Sequence, residues 1–285
     1  MWSLAEIVRS CADTGLSFPE TVMARDSERS GMDPRSIREI MDSRLVDMER
    51  SVKEALSGDP RGKFVGGDAA LMGAYGAGHT PLSGTFAVEA SRIALAVSTY
   101  NASMGRIVAA PTAGSCGILP GMLFGFGSAY PAPRERLVEA LTVAGGIGQV
   151  IARRATLAGA TGGCQAECGA AAAMGASALV FLQGGSPEAI SHAAALTIKS
   201  IMGLVCDPVA GLVEIPCVKR NGSLVALGAI CADMALAGIR SAIPPDEVID
   251  AMRSVGHSLP ESLRETGTGG IAATPTGIRM KEALL

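Results

Sequence analysis

The sequence predicts an all-α protein: one large helical domain whose glycine-rich loops form the working site. Three observations carry this. Ala, Leu, Met and Gly outweigh the β-branched and aromatic strand formers, with only one Trp, three Tyr and six Phe in 285 residues. No series of short segments alternates apolar with polar residues, whereas apolar positions recur at helical spacing between cap-like residues. Charged residues make up 18% against an ordinary ~25%, so much of the chain is buried.

Taken in order, residues 1–60 carry 8 basic and 12 acidic residues, while the remaining 225 carry 31 charges. The chain therefore divides into a charged N-terminal helical segment, 1–60, and a buried helical body, 61–285, within what is expected to be one domain. In the head, Asp33-Pro34 supplies an N-cap and first helical position. Ile37, Ile40, Met41, Leu45, Met48, Val52 and Leu56 follow at helical spacing, and Gly58 stops the run. Helices are predicted over 85–104, 134–154, 186–203 with Ser186 as cap, 224–239, and 246–255 after Pro244-Pro245. The charge-free stretch 107–133 contains Pro111, Pro120, Pro131 and Pro133, which break it into loops and short helices. Stretch 69–88 is interrupted by His79 and Pro81. Stretch 168–187 is Ala/Gly-rich and lacks interfacial anchors, so it is read as a buried helix rather than a membrane span.

Net charge is -3 and the pI about 5.7, without a Lys/Arg cluster, which argues against nucleic-acid and anionic-membrane binding and towards small-molecule chemistry. No basic region precedes an apolar one at the N-terminus, so no secretory signal is expected and the chain is placed in the cytoplasm. There, seven cysteines are thiols or metal ligands rather than disulfides.

Four glycine-rich loops are too elaborate for simple connections: 66–68, 111–117, 161–164 and 267–270. Glycine lets backbone N–H groups converge on a ligand, although turns and tight helix crossings use the same residues. Neither a dinucleotide fingerprint nor a phosphate loop is present. Cys11 and Cys231 lie in helical contexts where a thiol packs as a small apolar group. Cys164 follows Gly162-Gly163, Cys206 precedes Asp207-Pro208, and Cys217 follows Pro216, so the backbone there sets each sulfur's direction. These are ligand-like settings, yet buried structural cysteines are common and the spacings x41 and x10 match no compact zinc pattern. Cys164-x3-Cys168 with a second pair is the alternative, as a zinc site.

Three blocks, Gly162-Gly163-Cys164-Gln165-Ala166-Glu167, Gly203-Leu204-Val205-Cys206-Asp207-Pro208-Val209-Ala210-Gly211-Leu212-Val213-Glu214-Ile215-Pro216-Cys217-Val218-Lys219-Arg220-Asn221 and Leu263-Arg264-Glu265-Thr266-Gly267-Thr268-Gly269-Gly270, strongly resemble the catalytic (alpha) part of iron–sulfur-dependent L-serine dehydratases. With Ala109-Ala110-Pro111-Thr112-Ala113-Gly114-Ser115, the likeness covers nearly the whole chain. It implies that Cys164, Cys206 and Cys217 hold a [4Fe-4S] cluster, and that Cys116 and Cys168 are bystanders. Three thiolates leave one of four irons open as a Lewis acid for eliminating water from L-serine, giving pyruvate and ammonia in amino-acid degradation and gluconeogenesis. A separate beta subunit and an oligomer are implied as partners.

Around the cluster, backbone N–H groups of Gly114 and Ser115 and the Thr112 and Ser115 hydroxyls are candidates for the substrate carboxylate, with Asn221 beside them. The alternative is that Pro111-Thr112 merely turns the chain. Lys219 and Arg220 are close in sequence but of a type usually solvated. His79, His192 and His257 fall outside the motifs, and no base is assigned. Two other functions compete: a pyridoxal-phosphate dehydratase, for which only Lys53, Lys63, Lys199, Lys219 and Lys281 are available, and a zinc-stabilised structural or regulatory subunit.

Overall fold

The computed structural model describes residues 3–284, among which there are thirteen α-helices and no strand beyond isolated bridges. In the head, α1 (Leu4–Thr14) starts where Ser3 accepts a hydrogen bond from the Glu6 amide and ends at left-handed Gly15. It is followed by α2 (Phe18–Ser30) and α3 (Pro34–Ser57). Asp33 caps α3 through the Ser36 amide, Pro34 occupies its first turn, and Gly58 ends it. The body continues with α4 (Asp68–Gly78), α5 (Gly84–Ala102), α6 (Ile118–Ala129), α7 (Arg134–Arg154), α8 (Gly159–Gly162) and α9 (Ala170–Leu182). Last come α10 (Pro187–Ser200), α11 (Cys217–Leu236), α12 (Pro245–Ser258) and α13 (Pro275–Glu282).

The charged head does not stand apart. Leu4, Ile7, Phe18, Val22, Leu45 and Met48 join the same core cluster as α7 and α9, leaving the charges on the outer face. At the centre is α9, buried at every residue except Leu182 and surrounded by α6, α7, α10 and α11. The segment 165–182 is apolar and long enough to cross a membrane, but 94% of it is buried inside the protein, as suits a core helix. Its small residues set the packing distance: a Cβ at Gly175 would stand 2.3 Å from Met122 Sδ. The α5–α6 crossing uses the same device. Gly117, Gly121 and Gly125, one helical stripe, face Ala90 and Ala94, and a Cβ at Gly121 would stand 2.7 Å from the Ala90 carbonyl oxygen. Much of the glycine content is therefore spent on helix contact rather than on loops.

Several boundaries differ from expectation. Helix 224–239 begins seven residues earlier, at Cys217, because the polar Lys-Arg-Asn turn that breaks the apolar periodicity turns Asn221 and Gly222 inward. Helix 186–203 stops at Ser200, and Gly203 (φ 87) carries the chain out of it. α6 tolerates Pro120 because the amides of its first turn need no intrahelical acceptor. Between α8 and α9, Gln165–Gly169 forms a π-helical turn that no periodicity announces.

Candidate active site

Cysteines at 164, 206 and 217 lie on three separate segments that the fold ties together. Gly163 (φ 76) introduces the first, and a Cβ there would stand 2.6 Å from Leu259 Cδ1 and 2.8 Å from the Leu204 carbonyl oxygen, so only glycine fits. Gln165, fully buried, then locks the segment: its Nε2 donates to the Gly162 and Met252 carbonyls (2.9 and 3.1 Å), and its Oε1 accepts from the Gly203 amide (2.9 Å). The Gln165 amide donates to the Leu204 carbonyl at 3.0 Å, joining the first segment to the second. Cys206 sits in a short parallel bridge with Arg264, donating to Leu263 O (2.9 Å) and accepting from the Glu265 amide (2.7 Å). Asp207, 2% exposed, accepts from the Ile271 amide at 2.8 Å, which clasps the 263–271 loop over the Cys206 segment. Cys217 opens α11. Just before it, the buried Glu214 carboxylate takes the Lys63 and Phe64 amides (3.0 and 2.7 Å) and pins the 61–66 turn beside the site.

All three thiols are buried and free of disulfides, and they stand close enough to act on one another's ionisation. Cys164 is held below the usual thiol range, first by a hydrogen bond from Cys168 and then by the Arg220 guanidinium. Burial and repulsion from Cys164 push Cys206 well up and Cys217 up to about 12. Cys164 is therefore the most readily ionised of the three, and ionising the other two would need a multivalent cationic centre to offset their charge. Three soft donors in a dry site thus suit an iron–sulfur cluster.

The 112–117 loop lies against the π turn and the first turn of α11, beside Cys168 and Asn221. Thr112 and Ser115 hydroxyls bond each other at 3.2 Å, and the Gly114 carbonyl accepts from Asn221 Nδ2 at 2.8 Å. Asn221 also donates to the Cys217 carbonyl (2.9 Å) and accepts from the Gly117 amide (3.0 Å). Fully buried, it clamps the loop to the first turn of α11. Glu167, in the π turn, accepts from Cys206 Sγ at 3.8 Å and has the Thr112 hydroxyl beside it. Burial raises its carboxyl, and Glu265, whose φ is 65, raises it further. Donor atoms of Glu167, Cys206 and Glu265 lie within 4.8 Å of one another.

A family model described as serine dehydratase alpha chain matches residues 13–272, a span holding every group just described. The chain belongs to that family. It is 44% identical over 283 residues to a probable L-serine dehydratase alpha chain of Bacillus subtilis (strain 168), covering 99% of this chain and 94% of that protein. To the L-serine dehydratase alpha chain of Peptoniphilus asaccharolyticus it is 43% identical over 282 residues, 98% of this chain and 97% of the other. L-serine dehydratase 1 of Escherichia coli (strain K12) is longer: 41% identity over 191 residues covers 63% of this chain and 40% of that protein. Membership in the serine dehydratase alpha chains makes this chain part of a lyase.

Of the residues singled out from the sequence of this alpha chain, the fold brings Thr112, Gly114, Ser115, Asn221, Cys164, Cys206 and Cys217 into one region. Cys168, expected as a bystander, faces them: its free thiol donates to the Gly114 carbonyl at 3.7 Å and stands near enough to Cys164 for the two to act on each other's ionisation. Cys116 instead packs with Ile93, Ala96 and Val97, beside the Ser98 hydroxyl. The histidines lie elsewhere: His79 stacks on Tyr75, His192 accepts from the Ser241 amide, and His257 is exposed on α12. All five lysines are exposed, which leaves none in a pocket suited to a Schiff base. Glu167 and Gln165 lie in a motif block without a role assigned from the sequence, and Arg220 is set aside there as a usually solvated type. Arg220 carried one signal, its position one helical turn after Cys217.

Proposed function

We propose that this chain is the catalytic alpha subunit of a cytoplasmic L-serine dehydratase, which converts L-serine to pyruvate and ammonia together with a separate beta subunit. The observation that carries the reading is the meeting of Cys164, Cys206 and Cys217, from three segments, beside the 112–117 loop. Cys164, Cys206 and Cys217 would hold a [4Fe-4S] cluster, which when bound supplies a Lewis acid for the departing hydroxide. Thr112 and the Gly114 amide are assigned to the substrate carboxylate. Ser115 and Asn221, fully buried and already hydrogen-bonded, shape that loop from behind. Glu167 stands between Thr112 and Cys206, and we assign it the α-proton of the substrate.

The reading is tested by metal analysis and assay of anaerobically purified protein. We expect about four iron and four sulfide per chain, and substantial serine dehydratase activity when the beta subunit is supplied. Zinc without iron would support the structural-subunit reading instead, and a lysine-linked aldehyde chromophore the pyridoxal-phosphate one. Glu167→Gln should lower kcat about 10²–10⁴-fold, the range of a lost general base, while iron content stays constant. Full activity in that variant removes Glu167 from proton transfer.

A further inference from the structure

We propose that Arg220 is the positioning residue that holds the three cysteine segments in register and offsets the negative charge of the ligand set; this rests on the cluster reading above. Its side chain is 15% exposed, unusual for an arginine, and both terminal nitrogens of its fork are engaged. Nη1 donates to the Val205 carbonyl and Nη2 to Asp207 Oδ1, both at 2.8 Å, so the guanidinium brackets Cys206 from its two chain neighbours. The guanidinium also lies near enough to Cys164 for its charge to favour that thiol's ionised form. The residue itself belongs to the helix that Cys217 opens. One side chain thus touches or carries all three ligand segments, although Cys164 and Cys206 are separated by 41 residues of chain.

The chemistry calls for arginine specifically. A planar fork can serve a carbonyl, a carboxylate and a thiolate at fixed angles, whereas a lysine ammonium supplies the charge without the geometry. Asp207 holds the fork in place and is itself fixed by the Ile271 amide, so the guanidinium cannot swing away to solvent. Partners of this kind that orient metal ligands typically change metal affinity 10–100-fold when removed. Removing a positive charge beside a redox-active centre also disfavours adding an electron to it.

The test compares wild type, Arg220→Lys and Arg220→Gln as full-length chains reconstituted anaerobically with ferrous iron and sulfide. Iron retention against a chelator, the midpoint potential of the bound cluster and helical content by circular dichroism are measured. Both variants should lose iron roughly 10–100-fold more readily than wild type. The Gln variant should also shift the potential negative, and the Lys variant should keep it near the wild-type value. Wild-type retention and potential in Arg220→Gln, with helices intact, overturn the proposal and leave the cluster reading standing. An unchanged potential alone overturns it too, since a purely structural arginine would not move the potential. If Arg220→Gln fails to fold, Arg220→Lys decides, because equal iron retention with the fork removed contradicts the positioning role. A wild-type chain that takes up neither iron nor sulfide overturns the cluster reading and this proposal together.

Discussion

Alanine at Cys164, Cys206 or Cys217 should each strip the chain of iron and abolish dehydratase activity. These thiols come from independent segments, and none has a spare donor behind it on its own segment except Cys164, with the free thiol of Cys168 beside it. Losing one removes a third of the protein sulfurs and leaves the remaining two thiolates to repel each other in a dry site. The same change at Cys11, Cys116, Cys168 or Cys231 should leave iron in place. Cys11, Cys116 and Cys231 pack away from the site, Cys11 against Thr21 at 3.3 Å and Cys116 in the small cluster around Val97. Iron and sulfide analysis of the seven variants checks this, and full iron content in Cys206→Ala would remove that residue from the ligand set. Thermal melting of the iron-free proteins should differ little among the three ligand variants. That comparison separates loss of metal from loss of fold.

Asn221→Ala should be costly to both stability and turnover. Its amide serves the Gly114 carbonyl, the Cys217 carbonyl and the Gly117 amide inside the protein, and the Gly117 amide has no other partner that could replace it. Each buried group left without a partner costs about 1–3 kcal/mol. With one or two stranded, the loss is on the order of 2–5 kcal/mol, a fall of several degrees or more in Tm for a chain this long. Because the lost bonds run between the 112–117 loop and α11, kcat should fall with stability even at temperatures where the variant is folded. Asn221→Asp keeps an acceptor for Gly117 but loses both donors and buries a carboxylate, so it should be no better. Wild-type Tm and kcat in Asn221→Ala would show that the loop is held by other contacts.

The contrast between Cys116 and Cys168 shows what the chain does not announce. Both sit next to glycine in glycine-rich stretches, and the sequence offers no reason to separate them. In the structure one packs against α3 and α5, while the other, on the π turn over Gln165–Gly169, stands beside Cys164 and Cys217. Arg220 was likewise hidden behind a sound generalisation, that such side chains are usually solvated, and Glu167 stood in a motif block with no role of its own. Neither has a local pattern to mark it as an exception.

What the sequence determined by itself is what depends on neighbours in the chain. Caps at Asp33 and Ser186, the Pro residues that open helices, the helical spacing of apolar side chains and the scarcity of strand formers are local, and they sufficed for an all-α fold and most helix positions. The motif blocks around Cys164, Cys206 and Cys217 also lie within short stretches, which made the family resemblance legible. Only the tertiary structure decided which thiols meet, that α11 starts at Cys217, that Gln165 and Asn221 are buried clamps, and that Arg220 is turned inward. The physical reason is that a buried polar side chain is stable only where distant backbone groups satisfy it. For Asn221 those groups include Gly114 and Gly117, over a hundred residues away in the chain, and no local pattern encodes a partner at that distance.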